Sequence, residues 1–444
     1  MTQFRSLQAR REHRSQQANP ADSVTPDWLL VALPTAAAFS NINLRAALIA
    51  VALLGAASIV TAQKATGRMS LTVASLVLPA GGLVIALRPN PPQTMVAAIY
   101  YAVVCGVMAL IVSKASSRSR ALISLVDGVG LLLTAAIALR FAGIGTADNG
   151  TVVMGNFLTG GERVLFPLTG ALTSGPTLAA AYLVAAIPIM RRTSRYRGYR
   201  LIAVLAALYV LVQGDRRSAL FTAVVLLALA ILTPRLVRKA APWVIGFFLT
   251  GPFILNLTGG LTQQLTLTRF QRIGERNSES LNDRLEIWFR SIEFYQDKVD
   301  WFHQTFGFGT SGQIVSGASV TYRSIFAGTR DSAVRSPHNS VIQALFDGGW
   351  IAASFLVITI VYLAYVMSHR NSVADLGGLS ILTMLSVVGS TETLLTPGYV
   401  QPVGFVLVAL AMIGFAKEDP ETTSFAPTAT ANDASQPGPA PTTG

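Results

Sequence analysis

Apolar stretches recur along the whole chain, separated by polar connections. Twelve can be marked: Trp28 to Ile42, Ala46 to Ala62, Leu71 to Leu87, Met95 to Val112, Ala121 to Leu139, Thr177 to Met190, Leu201 to Val212, Ala219 to Leu232, Trp243 to Leu257, Val341 to Met367, Leu376 to Gly389 and Val403 to Ala416. Several are shorter than the ~20 residues a helix needs to cross hydrocarbon, so flanking residues must complete them. The pattern predicts an all-α polytopic membrane protein with about twelve transmembrane helices and a large, partly helical extracytoplasmic loop. Residues 1–27 and 417–444 read as disordered cytoplasmic ends, 28–257 as helices one to nine, 258–340 as the loop domain and 341–416 as helices ten to twelve.

The connections test this layout. With the N-terminus inside, alternate connections collect Arg5, Arg10, Arg11 and Arg14; Lys64 and Arg68; Lys114, Arg118 and Arg120; Arg191, Arg192, Arg195, Arg197 and Arg200; Arg235, Arg238 and Lys239; Arg370; and Lys417. The opposite set, leaving aside its longest member, holds only Arg45, Arg88, Arg140, Arg163, Arg216 and Arg217. Cytoplasmic loops carry the lysine and arginine excess, so both termini are expected inside the cytoplasmic (inner) membrane. Trp28 to Ser40 has the look of a signal-peptide core, but its removal would invert every later connection.

Composition changes the picture little. Only 13% of residues are charged, against about a quarter in a soluble domain. The net charge of +12 is accounted for by the basic connections. No basic stripe with interleaved aromatics suggests nucleic-acid binding. A single cysteine, Cys105, in an apolar stretch excludes an internal disulfide and a thiolate zinc site.

Two outer connections are long. Phe141 to Pro176 is rich in glycine and threonine. Thr258 to Pro337 carries nine basic and eight acidic residues, so it is not a basic tail. Within it, Leu281, Leu285, Trp288, Ile292 and Tyr295 recur at helical spacing, and Ser280 with Asp283 resembles a capping box. The expected helix, Ser280 to Gln296, puts Arg284 at the border of its apolar stripe, able to point into a cleft.

Candidate chemistry gathers on that same side. The hairpin Leu201 to Pro234 has legs of only about 25 Å at 1.5 Å per residue, so its tip, Gly214-Asp215-Arg216-Arg217-Ser218, is recessed toward phosphate depth. Arg216 and Arg217 either snorkel and pair with Asp215 or form a diphosphate clamp, for which planar guanidinium donors are suited. His338 stands where the long loop runs into a helix. A neutral imidazole can take a proton from a sugar hydroxyl. Asn339 beside it would orient the ring or cap the helix. His303 is the rival base, with Asp283, Glu286 and Asp331 as carboxylate alternatives; His13 and His369 fall on the inner side. Asp127, within an apolar span, is either a relay or half of a structural pair. Gly307-Phe308-Gly309 lacks the Gly-Lys-Ser/Thr of a phosphate loop and reads as a tight turn. Gly348-Gly349 falls inside the helix that follows His338.

Together these stretches resemble the O-antigen ligase and O-antigen polymerase superfamily of membrane glycosyltransferases. Asp215-Arg216-Arg217-Ser218-Ala219-Leu220 resembles the family's Ser-Arg-small-Ala approach to a span. Arg284-Leu285-Glu286-Ile287-Trp288 resembles its Arg-x-x-x-Trp, and Thr305-Phe306-Gly307-Phe308-Gly309 its Leu-Phe-Gly-Val-Gly turn. Ser336 through Gly349 is similar to its His-Asn-x-x-Leu-x-x-x-x-Glu-x-Gly. The likeness implies a glycosyltransferase C-like helical fold. It also implies transfer of a glycan from an undecaprenyl diphosphate carrier, with no metal, nucleotide or other cofactor. His338 would be the base, with Arg217 and Arg284 on the diphosphate. Arg216 stands where the family has serine, so the two neighbouring arginines share or exchange the role; Asn339 joins the binding set. Asp347 and Gly349 only approximate the Glu-x-Gly.

The expected partners are a polyprenyl-diphosphate-linked glycan, a glycan or lipid-linked acceptor and membrane lipids, with no nucleic acid. Polymerisation and ligation differ only in the acceptor. A carrier or flippase of the same lipid-linked glycan would instead favour midplane ionisable groups and a repeat between halves; Asp127 suits it and the absent repeat does not. A non-catalytic membrane scaffold is the third reading.

Overall fold

The computed structural model describes residues 27–61, 69–88, 93–145, 151–155, 162–170, 172–194, 196–257, 281–323, 336–396 and 401–418. The two polar ends, the Lys64 and Arg68 connection, Arg195, Ser280, the Asp283 side chain, Asp331 and much of the long outer loop lie outside the described residues.

Each apolar stretch coincides with a helix: α1 (Trp28–Ala38), α2 (Leu44–Thr61), α3 (Val73–Ala86), α4 (Gln93–Ser113), α5 (Arg118–Phe141), α6 (Ser174–Arg192), α7 (Arg197–Gly214), α8 (Arg217–Leu232) and α9 (Pro234–Leu257). The outer loop contributes α10 (Leu281–Lys298), α11 (Trp301–Phe306), α12 (Gly312–Val315) and α13 (Ala318–Thr321). The bundle closes with α14 (Ser340–Ser368), α15 (Val373–Gly389) and α16 (Pro402–Phe415). Two short antiparallel ribbons complete the described structure: β1 (Met69–Ser70) with β4 (Lys417–Glu418), and β2 (Thr151–Gly155) with β3 (Glu162–Val164). Five described helices are by themselves long and apolar enough to cross a membrane: Leu44–Thr61, Met95–Ser113, Arg118–Phe141, Arg197–Gly214 and Ser340–Ser368. Overall this is an all-α membrane protein.

Burial sorts the helices. α15 and α16 are apolar all round and almost entirely enclosed, as befits the centre of a bundle. α2, α8 and the second half of α14 keep Ile49, Leu53, Val60, Phe221, Val224, Phe355 and Ile358 exposed. Such an apolar skin suits hydrocarbon.

Polar contacts gather the connections at two ends. At one end, β1 pairs with β4, Arg118 donates to the Ile413 and Ala416 carbonyls, Arg370 to that of Gly414 and Arg238 to that of Ser372. At the other, Arg88 holds the Phe306 and Gly307 carbonyls, and Arg216, Arg284 and His338 meet Glu392. Consecutive helices therefore run alternately up and down.

Gly348-Gly349 does not sit in a continuous helix. Gly348 (φ −135°, ψ 16°) and Gly349 (φ 70°, ψ −171°) break α14. The nineteen residues from Trp350 to Ser368 span about 28 Å, close to a bilayer core. The preceding segment, Ser340 to Asp347, is thereby left at the rim. The break frees carbonyls that helix geometry would have satisfied. The tight turn after α11 supplies the donors: Phe308 N–H reaches Phe346 O and Gly309 N–H reaches Asp347 O, both at 2.8 Å. Backbone meets backbone here, and a Cβ on Gly307, Gly312 or Gly349 would overlap the facing chain.

Asp127 is half of a structural pair. Arg200 on α7 donates to both its carboxylate oxygens, at 2.7 and 2.9 Å, and also to Thr193. Tyr199 donates to the Asp127 carbonyl. The group on which the carrier reading leaned is thus engaged in joining α5 to α7.

Candidate active site

Three side chains from three separate parts of the chain, Arg216, Arg284 and His338, converge on the carboxylate of Glu392. α7 ends at Gly214, where a Cβ would overlap Pro176 at the start of α6. Asp215 then turns the chain with φ 42°, and Arg216 precedes α8 in an extended conformation. The Arg216 guanidinium reaches Glu392 Oε1. Arg217 is the first helical residue of α8 and is exposed. Of the two neighbouring arginines, Arg216 is the one that the structure brings to the cluster.

Arg284 comes from α10, whose Trp288, Ile292 and Tyr295 are buried as the apolar stripe predicts, with Leu285 half-buried and Ile287, outside that stripe, buried as well. The edge position turns its guanidinium inward: Nη2 donates to Glu392 Oε1 at 2.7 Å and Nη1 to the Thr391 carbonyl. Tyr295 fixes the far end of this helix, stacking edge-on against Phe346 and donating to the Gln304 carbonyl at 2.7 Å. Burial pushes its phenol pKa up.

His338 adopts φ 48°, a left-handed conformation uncommon for a residue with a side chain. Its N–H donates to Ser336 Oγ at 3.0 Å and its carbonyl accepts from Trp288 Nε1 at 3.4 Å. The ring Nδ1 lies 3.3 Å from Glu392 Oε2. Asn339 is fully buried. Its Oδ1 accepts from the Val341 and Ile342 N–H groups, and its Nδ2 donates to Ser390 O at 2.6 Å. Of the two roles open to it, Asn339 caps α14, and it ties that cap to the Glu392 turn. Ser340 adds to the tie, donating to Glu392 O and accepting from Leu394 and Leu395 N–H.

Glu392 was not among the residues expected from the sequence. It is the one acidic residue between Asp375 and Glu418, standing between two apolar stretches on the His338 side. A lone ionisable group in that position was the available signal. Side-chain exposures of 25% for His338, 12% for Arg216, 9% for Arg284 and 5% for Glu392 order the cluster from mouth to floor. Among the described residues, two guanidiniums face one carboxylate in a partly dehydrated setting, a balance that suits an anion.

Of the rival bases, the two with described side chains, His303 and Glu286, are engaged elsewhere. His303 pairs with Asp300 at 2.5 Å and stacks on Phe308 with centroids 4.4 Å apart. The hydrogen bond from His303 holds the exposed Asp300 carboxyl below its ordinary pKa. Glu286 pairs with Arg290 one turn along α10. Among the described residues, no group of three or more His, Cys, Asp or Glu could hold a metal ion.

An apolar helical bundle with an ionic cluster at one end is the arrangement of a multi-pass membrane protein. Residues 201–357 match the family model described as O-antigen ligase, so this part of the chain is similar to the O-antigen ligase superfamily. The match supports a membrane glycan ligase or polymerase with glycosyltransferase-like activity on lipid-linked glycans. It includes Arg216, Arg217, Arg284, His338 and the break in α14, and stops short of Glu392. A search of curated proteins found no match.

Proposed function

We propose that the protein transfers a glycan from an undecaprenyl diphosphate carrier to a hydroxyl acceptor on the outer face of the cytoplasmic membrane, polymerising or ligating surface polysaccharide. The observation that carries this reading is the convergence of His338, Arg216 and Arg284 on Glu392. In it, Glu392 holds the Nδ1–H of His338, which leaves Nε2 as the free base, an arrangement familiar from carboxylate-histidine pairs. Nε2 takes the acceptor hydroxyl proton as that oxygen attacks the anomeric carbon. The bond from that carbon to the diphosphate breaks, and the carrier leaves as polyprenyl diphosphate. Arg216 and Arg284 stabilise the charge that grows on the departing phosphate. Exposed Arg217 adds to the field that draws the anion in. Asn339 works through the backbone, fixing His338 at the start of α14.

The test uses the full chain in lipid nanodiscs with a polyprenyl-diphosphate-linked oligosaccharide and a candidate acceptor. Mass analysis should find free polyprenyl diphosphate together with a lengthened or transferred glycan. His338→Ala should abolish both products and retain carrier binding. Full turnover in that variant would remove His338 as the base, and transport without bond cleavage would remove the enzyme reading.

A further inference from the structure

The short helix α11 has no part in the chemistry above, and its residues divide between two faces. On one, Gln304 donates to the Tyr295 and Val299 carbonyls at 3.1 and 2.9 Å, and the Thr305 backbone lies against Gly349. The other face is aromatic and open: Trp301 is 74% exposed, Phe302 49% and Phe306 37%. The Phe302 ring centroid lies 6.1 Å from that of Trp301 and 5.1 Å from that of Phe306. A contiguous aromatic patch of this kind marks an interaction surface.

Two apolar helices fix the height of this patch. The span-length half of α14 begins at Trp350, and Trp350, Ile351 and Phe355 are all exposed. Gly349, immediately before it, packs on Thr305 of α11. On the other side, α3 ends with Val84 and Leu87 exposed, and Arg88 just beyond donates to the Phe306 and Gly307 carbonyls. Trp301 is four residues from Thr305, or about 6 Å along a helix. The headgroup layer on each side of the hydrocarbon is about 5 to 8 Å deep. Whatever the tilt of α11, its aromatic face therefore stays in or beside that layer and continues the apolar skin of α3 and α14.

We propose that Trp301, Phe302 and Phe306 form a membrane-surface anchor, seated among the lipid headgroups and upper acyl chains of the leaflet on the Glu392 side of the bundle. Aromatic rings bury their apolar surface at such a boundary, and the indole N–H keeps a polar partner there. α11 runs directly into the Gly307-Phe308-Gly309 turn that pairs with the freed carbonyls of α14. Lipid at α11 thus holds the turn and the broken helix at one depth. Nothing in this depends on the transfer reaction, and its test reads no turnover.

Cys105→Ser removes the single native thiol. In that background Trp301→Cys and Phe302→Cys each carry a nitroxide in the full chain in lipid nanodiscs, with Phe355→Cys as the hydrocarbon reference. Collisions with oxygen and with a water-soluble nickel chelate report depth, calibrated by lipids labelled at the headgroup and along the acyl chain. Both α11 labels should lie between the headgroup label and the Phe355 label. Their oxygen-to-nickel accessibility ratio should be several-fold above that of a free water-soluble nitroxide. Full exposure to the chelate at either position would overturn the anchor; if added oligosaccharide then shielded the label, the face would be a sugar platform instead. Shielding from both oxygen and chelate would also overturn it, since protein would then cover the face. Should the cysteine variants fail to fold, tryptophan quenching by lipids brominated high on the acyl chain replaces them. Trp301→Phe should then lose a quenched component, and quenching identical to that of the unmodified protein would refute the proposal.

Discussion

Glu392→Gln isolates what the central carboxylate does, because it keeps the shape and removes the charge. Glu392 is 4% exposed and faces Arg284 at 2.7 Å, Arg216, and the His338 ring at 3.3 Å. Taking the charged partner out of a buried ionic cluster costs about 3 to 5 kcal/mol, so the unliganded variant should unfold at a clearly lower temperature. The His338 ring loses the acceptor that holds its Nδ1–H. General-base assistance is worth about 100- to 10,000-fold, and a fall in kcat of about 100-fold, or about 2.7 kcal/mol, follows if only the ring's orientation suffers. Donor affinity should move the other way. With the carboxylate gone, the site gains one unit of positive charge and two guanidiniums seeking an anion. Polyprenyl diphosphate should therefore bind at least as tightly and restore part of the lost thermal stability by mass action. The assay is turnover by mass spectrometry alongside thermal unfolding with and without the carrier. If kcat and affinity fall together, Glu392 is a ligand contact and not the organiser of its neighbours. If neither changes, the cluster is not the site.

Arg216→Lys should impair turnover more than Arg217→Lys, since only Arg216 reaches Glu392 and lysine lacks the planar fork; equal effects in steady-state kinetics would contradict the assignment. Gly349→Ala should destabilise the protein by several kcal/mol, because φ is 70° and a Cβ would overlap Thr305; an unchanged melting temperature would mean that the turn and the broken helix separate freely. Asp127→Asn leaves Arg200 buried without its counter-charge and should cost about 3 to 5 kcal/mol, with carrier affinity in the surviving protein unaltered; a selective loss of affinity would return Asp127 to a functional role.

The helices were legible because hydrocarbon imposes a length and a composition that apolar runs display directly. The amphipathic α10 was legible for a similar reason: Trp288, Ile292 and Tyr295 repeat at helical spacing and are all buried. The choice between Arg216 and Arg217 was not, since one peptide unit separates them and the outcome depends on the left-handed turn at Asp215. Nor was the break in α14. Two glycines in an apolar run are compatible with a helix until another segment supplies donors for the freed carbonyls, and those come from Phe308 and Gly309. Glu392 was missed because it lies more than fifty residues beyond His338, and only the fold brings them together.

The seam between Phe308-Gly309 and Phe346-Asp347 also decides how this protein can be recombined. Main-chain atoms make the join, so it depends on the path of the chain and on the glycines that permit the approach, not on exchangeable side chains. A chimaera that imported a foreign outer loop up to Pro337 and kept its own α14 would cut across that seam. One that carried residues 301–349 as a single cassette would preserve it, and His338 would travel with that cassette while its partner Glu392 stayed with the recipient bundle.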